Sequence, residues 1–167
     1  MKGPIVLKAI SPEITHKTDV GAIKLNLGSI ENIREAFLDL KRKFPKARIL
    51  AQEMIRGIEI FIGGKKDPIF GPVIMVGIGG VFVELFKDVS FRICPITEKD
   101  AKEMLEELKM KKILEGYRGR PKIDKEKVIE ILVKASKLIV QENFQEIDIN
   151  PIICNEKGCW AVDFRMK

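Results

Sequence analysis

Only three of the 167 residues are cysteine, Cys94, Cys154 and Cys159, and histidine, tryptophan and tyrosine occur once each. Three scattered thiols cannot build the disulfide framework of a small secreted domain. No apolar run approaches the roughly 20 residues of a membrane-spanning helix, and the opening MKGPIVLK lacks the long apolar stretch of a secretory signal. Internal repeats and low-complexity linkers are missing too. What remains is the balance of an ordinary folded chain, 32% charged and 46% hydrophobic, which excludes a disordered or collagen-like protein. The length fits one domain, or one domain of two lobes, with room for a real core. A soluble cytoplasmic protein is the expectation. Thirty Lys+Arg against 24 Asp+Glu leave a net charge of +6, which admits an anionic partner without naming it.

The pattern along the chain predicts α+β architecture, mostly antiparallel hairpins backed by three helices. Pro4 to Ile10 reads as a buried strand, and Ile23, Leu25 and Leu27 alternate as a second. Ser29 can cap a helix carrying Ile33, Ala36, Phe37, Leu40 and Phe44 on one stripe, stopped by Pro45. Strands follow at Ile49 to Met54 and Ile58 to Ile62, separated by the Arg56-Gly57 break. Lys65 to Pro68 is the expected turn of a hairpin whose return is Ile69 to Val76. After Gly77-Ile78-Gly79-Gly80 come strands at Val81 to Phe86 and Val89 to Cys94. Thr97 with Asp100 makes a capping box for a helix with Ala101, Met104, Leu105 and Leu108 inside. A basic loop, Gly116 to Pro121, precedes a long helix opened by Asp124, with Val128, Ile131, Leu132, Ala135, Leu138 and Ile139 inward. The chain ends in a hairpin, Ile147 to Cys154 and Cys159 to Met166.

That hairpin carries the most chemistry. Glu146, Asp148 and Asn150 alternate with Ile147 and Ile149, so they project from one face of a strand. With Asn155 to Gly158 as the loop, Cys154 faces Cys159, Asn150 faces Asp163, and Asp148 faces Arg165. Side chains opposed in this way have Cβ atoms about 4.5–5.5 Å apart. An amide and a carboxylate at that separation can hold Mg²⁺, which takes few protein ligands and keeps its other positions for water and phosphate. A solvated face with an Asp148–Arg165 ion pair is the alternative. Pro151 suits an edge or a bulge. Cys154 and Cys159 are placed to form a cross-strand disulfide, although reduced thiols are the expectation in a cytoplasmic chain.

Other segments are ambiguous one at a time. Lys8 lies within an apolar strand, so its ammonium needs a carboxylate or phosphate partner, or else snorkels from an edge. His16 and Lys17 sit in a polar loop ahead of Gly21. Gly77 to Gly80 lacks Walker or dinucleotide spacing; it permits close backbone approach to a ligand, or a tight sheet bend. Gln52-Glu53-Met54-Ile55, with Glu59 beyond, can form a hinge that meets an adenine with backbone and a ribose with a carboxylate. An ordinary bend with exposed acids is the alternative.

In this order the segments resemble an ATP-grasp domain, more narrowly the nucleotide-binding subunit or domain of ADP-forming acyl-CoA (acetyl-CoA) synthetases, relatives of the succinyl-CoA synthetase β subunit. The match rests on Val6 to Ile23, Gln52 to Gly63, Asp67 to Ile96, Gly116 to Pro121, Glu146 to Ile152 and Ala161 to Arg165. It implies one ATP-grasp domain over 1–167, with a first lobe at about 1–57 and a second at about 58–167. It also implies that Lys8, Thr15 and Lys17 bind nucleotide, that Gln52, Glu53, Met54 and Ile55 form the adenine hinge, and that Glu59 meets the ribose. Asn150 and Asp163 match the Mg²⁺ ligands, with Asp148 as a further candidate. His16 matches a histidine that carries a phosphoryl group toward ATP/ADP, a role suited to a neutral imidazole near pH 7.

The resemblance implies a CoA-binding α subunit or domain as partner, no membrane and no nucleic acid, and leaves room for a homo-oligomer. Arg118 and Arg120 either touch phosphate or hold the partner. Family members carry a helical segment before the first strand, so a truncated or shorter relative is expected here. Competing readings are an ATP-grasp carboxylate–amine ligase, which would not need His16, an inactive ATP-grasp remnant, and a basic nucleic-acid-binding domain. The last has Lys109 to Lys112 and Arg118 to Arg120 in its favour but no stacking platform of aromatics.

Overall fold

The computed structural model describes residues 3–14, 17–80, 88–116, 122–141 and 144–167. The chain separates into two compact units, Met1–Ile55 and Arg56–Lys167. In the first, β1 (Ile5–Ile10) lies between β2 (Ile23–Leu27) and β3 (Arg48–Glu53), antiparallel to both. Helix α1 (Ile30–Lys43) covers one face. Ser29 Oγ accepts from the Asn32 N–H at 3.1 Å, and Glu31 in the first turn and Lys41, Arg42 and Lys43 in the last complement the helix dipole. Ile5, Leu7, Ala9, Ala36 and Leu40 form the core, with Ile33 and Phe44 packed against it. Phe37, expected inward, is 42% exposed. A lone helix on a three-stranded sheet covers only a narrow stripe, and Phe37 falls outside it.

The second unit is a six-stranded sheet in the order β6 (Val89–Ile93), β5 (Gly71–Ile78), β4 (Ile58–Asp67), β7 (Glu146–Asn155), β8 (Gly158–Ala161), with β9 (Phe164–Met166) also paired to β7. Every described pairing is antiparallel. Helices α2 (Glu98–Glu107) and α3 (Lys125–Gln141), joined through a 3-10 turn at Lys111–Glu115, pack on one face. Ile60, Ile62, Ile74, Met104, Leu108, Leu132, Ile139, Ile147 and Ile152 are fully buried there. Thr97 and Asp100 make the capping box of α2, with the Asp100 carboxylate accepting the Thr97 N–H at 2.8 Å. Among the described residues, no helix is long and apolar enough to cross a membrane.

Three expectations change, and one is extended. The β4–β5 hairpin turns at residues 68–70 rather than at Lys65 to Pro68. The Asp67 carboxylate accepts the N–H groups of Ile69 and Phe70 there, and the ladder continues through Lys65↔Val73 on backbone bonds that need no apolar alternation. On α3, Ile131 and Leu138 pack against the core as expected, and Ile129 and Ser136 are buried as well; Ser136 Oγ donates to the Val133 carbonyl and accepts the Ile96 N–H. The last return strand is split into β8 and β9 around Val162 and Asp163. Cys154 and Cys159 are joined as a disulfide, not held as thiols. The expected strand at Val81 to Phe86 and the loop residues Tyr117 to Pro121, including Arg118 and Arg120, lie outside the described residues, as do Thr15 and His16.

Candidate nucleotide and metal site

In the first unit, alternation along β1 sends Ile5, Leu7 and Ala9 to the helix and Val6 and Lys8 to the opposite face. Lys8 is buried and paired in register with Leu50. Gln52 pairs with Val6, so its side chain shares the face of Lys8 on the neighbouring strand, a diagonal relation of about 7–8 Å. The Gln52 Oε1 atom is buried without a hydrogen-bond partner among the described residues. Leaving such an acceptor unmet costs about 1–3 kcal/mol, so the position favours a ligand that brings a donor. The Met54 N–H is taken by the Pro4 carbonyl at 3.0 Å. That bond fixes the end of the Gln52–Ile55 segment, with Glu53 exposed and Ile55 half-buried. Lys17 is fixed through its backbone: its carbonyl accepts the Ala22 N–H at 2.7 Å, and the Ala22 carbonyl accepts the Ala9 N–H at 2.8 Å. Lys17 is thereby tied, through Ala22, to the strand bearing Lys8.

In the second unit, Glu59 and Asp148 project from the face away from α2 and α3, because Ile58, Ile60, Ile147 and Ile149 take the other. Cys154 pairs with Cys159 and Asp148 with Arg165 in one continuous register. Between these pairs the Asn150 N–H donates to the Asp163 carbonyl at 3.2 Å, and the Val162 N–H to the Pro151 carbonyl at 3.1 Å. Asn150 and Asp163 are therefore direct cross-strand neighbours despite the break between β8 and β9. On the other side of β7, Asn150 and Pro151 form a bulge: Ile60 pairs with Ile152 but Ile62 with Ile149. Pro151, with no N–H to give, occupies the irregular position.

Asp148 is half-buried, and burial pushes its carboxyl above the usual range. Arg165 opposite pulls it down, while Glu146 and Asp163 push it further up. Acidic side chains thus converge on this stretch of sheet. Among the described residues, no group of three or more His, Cys, Asp or Glu side chains could by itself hold a metal ion. An amide and a carboxylate side by side, as at Asn150 and Asp163, are hard oxygen groups of the kind that suits Mg²⁺ when phosphate and water complete its octahedron.

Two features here were not read from the sequence. The glycines after β5 pack against Glu59, a contact that pairing alone reveals. Asp88 is buried, and its carboxylate accepts the N–H groups of Lys109 and Met110 at 2.8 Å each. It stands between Lys87 and Val89, so its immediate neighbours do not mark it as buried.

A family model described as an ATP-grasp domain matches residues 1–167. An ADP-forming acetate–CoA ligase I of Archaeoglobus fulgidus is 45% identical over 98% of the chain, which spans 25% of that protein. The β subunit of an ADP-forming acetate–CoA ligase I of Pyrococcus furiosus is 41% identical over 98% of the chain, which spans 74% of it. Among solved structures, an acetyl-coenzyme A synthetase 1 of Ca. Korarchaeum cryptofilum superposes with a TM-score of 0.84 at 42% identity, covering 98% of this chain and 75% of that one. It is in complex with coenzyme A and Mg-AMPPCP, its phosphohistidine segment pointing towards the nucleotide binding site.

Proposed function

For a chain that belongs to the ATP-grasp family, in the branch of the β subunits and domains of ADP-forming acyl-CoA synthetases, we propose the role of nucleotide-binding, phosphoryl-transfer component of an acid–CoA ligase. The overall reaction is acyl-CoA + ADP + phosphate ⇌ acid + CoA + ATP, carried out with a CoA-binding α-type subunit or domain. A cytoplasmic location accords with this role. The observation that carries the reading is the direct cross-strand placement of Asn150 and Asp163. Side chains opposed in this way can offer two hard oxygen donors to one ion, with Asp148 two residues along the strand.

In this reading Asn150 and Asp163 hold Mg²⁺, with Asp148 as a further ligand or a nearby charge. The ion, when bound, neutralises charge on the polyphosphate oxygens during transfer. Lys8 and Lys17 offer cationic hydrogen bonds to phosphate. The Gln52–Ile55 segment lines the adenine, with the unmet Gln52 oxygen accepting from a donor on the ligand, and Glu59 accepts from the ribose. His16 takes the phosphoryl group onto an imidazole nitrogen as its bond to the departing acid's oxygen breaks, and the P–N bond then breaks as a terminal oxygen of ADP accepts the group; Thr15 beside it binds nucleotide.

Calorimetric titration with ADP, with and without Mg²⁺, tests the metal assignment. Asn150→Ala and Asp163→Ala should each remove most of the metal-dependent gain in affinity. Unchanged metal dependence in both would reject the site. His16→Ala should still bind ADP but fail to pass phosphate when the partner is supplied. Full turnover by that variant would instead favour an acyl-phosphate ligase.

A further inference from the structure

Glu59 lies opposite a residue without a side chain. Its backbone carbonyl accepts the Gly79 N–H at 2.7 Å, extending the β4–β5 ladder one position beyond Ile60↔Ile78. A Cβ on Gly79 would stand 2.9 Å from the Glu59 Cβ and 3.1 Å from its carbonyl carbon. A Cβ on Gly80 would stand 3.3 Å from Glu59 Oε2. The first would push on the root of the glutamate and the second on its tip. Gly80 also has φ +74°, a backbone that residues with a Cβ adopt at a cost. The Glu59 carboxylate is exposed, and among the described residues it has neither an ion pair nor a hydrogen bond. The missing side chains at Gly79 and Gly80 leave the space that the Glu59 side chain occupies. Its acceptor oxygens stay open to a ligand.

We infer that Gly79 and Gly80 are positioning residues that aim the Glu59 carboxylate at the ribose diol and so set a preference for nucleotides bearing both ribose hydroxyls. This rests on the assignment of Glu59 to ribose in the proposed function. A carboxylate accepting from two vicinal hydroxyls depends on its placement more than a point charge does. Displacing either end of the side chain should therefore cost the diol contact while leaving the adenine and phosphate contacts in place.

The test compares ADP with 2′,3′-dideoxy-ADP by calorimetry on the full chain in Mg²⁺. Both ligands are titrated into the same preparation, so any loss of folded protein affects them alike. The parent should prefer ADP by about tenfold, the scale of a charged hydrogen-bonded contact. Glu59→Ala should abolish that preference, and Gly80→Ala should match it while binding the dideoxy nucleotide as the parent does. Gly80→Asn, whose side chain tolerates a left-handed backbone, is the second variant if the alanine form does not fold. If the Gly80 variants keep the parent's preference while Glu59→Ala loses it, the positioning role is overturned. If Glu59→Ala itself keeps the preference, the ribose assignment falls, and the inference with it.

Discussion

Gly57 has no space for a methyl group: a Cβ there would come within 2.3 Å of the Cys154 carbonyl oxygen and 2.8 Å of its carbon. Those are backbone atoms of the neighbouring strand and cannot rotate away. Gly57→Ala should therefore destabilise the fold by about 1–3 kcal/mol, read as a lower midpoint of chemical denaturation. Gly28, where an added Cβ would meet nothing within 4 Å, is the control, and its alanine variant should unfold like the parent. At Cys94, burial pushes the thiol from 9.0 up to about 11. The folded protein keeps this proton over a range where the unfolded chain has lost it. The thiol's contribution is complete below pH 9 and is lost as pH rises toward 11. Denaturation followed across that window should show a steeper alkaline loss for the parent than for Cys94→Ala. Below it, a thiol reagent should reach Cys94 only on unfolding.

At the scale of elements, the two ends of α2 and α3 make different demands. Thr97→Ala removes the hydroxyl that accepts the Asp100 N–H and should cost about 1 kcal/mol in thermal or denaturant unfolding. On α3, hydrogen bonds from Lys127 and Lys134 hold the exposed Glu130 carboxyl down to about 2. Its support is complete above the ordinary pKa of 4.5 and fades as pH falls toward 2. Helix content around pH 3 should thus depend less on pH in Glu130→Gln than in the parent. These helices were legible beforehand because caps and apolar periodicity are local signals. The β4–β5 turn was not, because its ladder is held by backbone pairing through Lys65 and Lys66, which leaves no mark in the hydropathy. Ser136 escaped for a related reason: a polar residue inside a core is recognisable only once its partners, Val133 and Ile96, are known.

For the molecule as a whole, the proposed role gives the chain a nucleotide site, and the chain spans only a quarter of a single-chain ligase relative and about three quarters of a separate β subunit. Under the proposed role it should bind Mg-ADP alone yet make no ATP from acyl-CoA and phosphate. ATP formation should appear when a CoA-binding α-type component is added, followed with a coupled ATP assay. Turnover by the chain alone would contradict that division of labour. The cross-strand placement of Asn150 and Asp163 could be counted from the sequence because a short loop and strict alternation fix a hairpin's register. The contact of Gly79 and Gly80 with Glu59 could not, since it joins strands whose pairing depends on where a turn falls. The unmet Gln52 oxygen was hidden likewise, because its isolation is a property of the packed sheet.

The extra residue in β7 also reverses the parity of the strand. Ahead of Asn150-Pro151, even-numbered side chains look away from the helices; beyond it, even-numbered Ile152 and Cys154 turn into the core. One strand can thus present acids to a ligand along its first half and line the hydrophobic interior along its second. Losing a single residue from this stretch would leave those two halves competing for the same face, so changes in its length should be tolerated only in pairs.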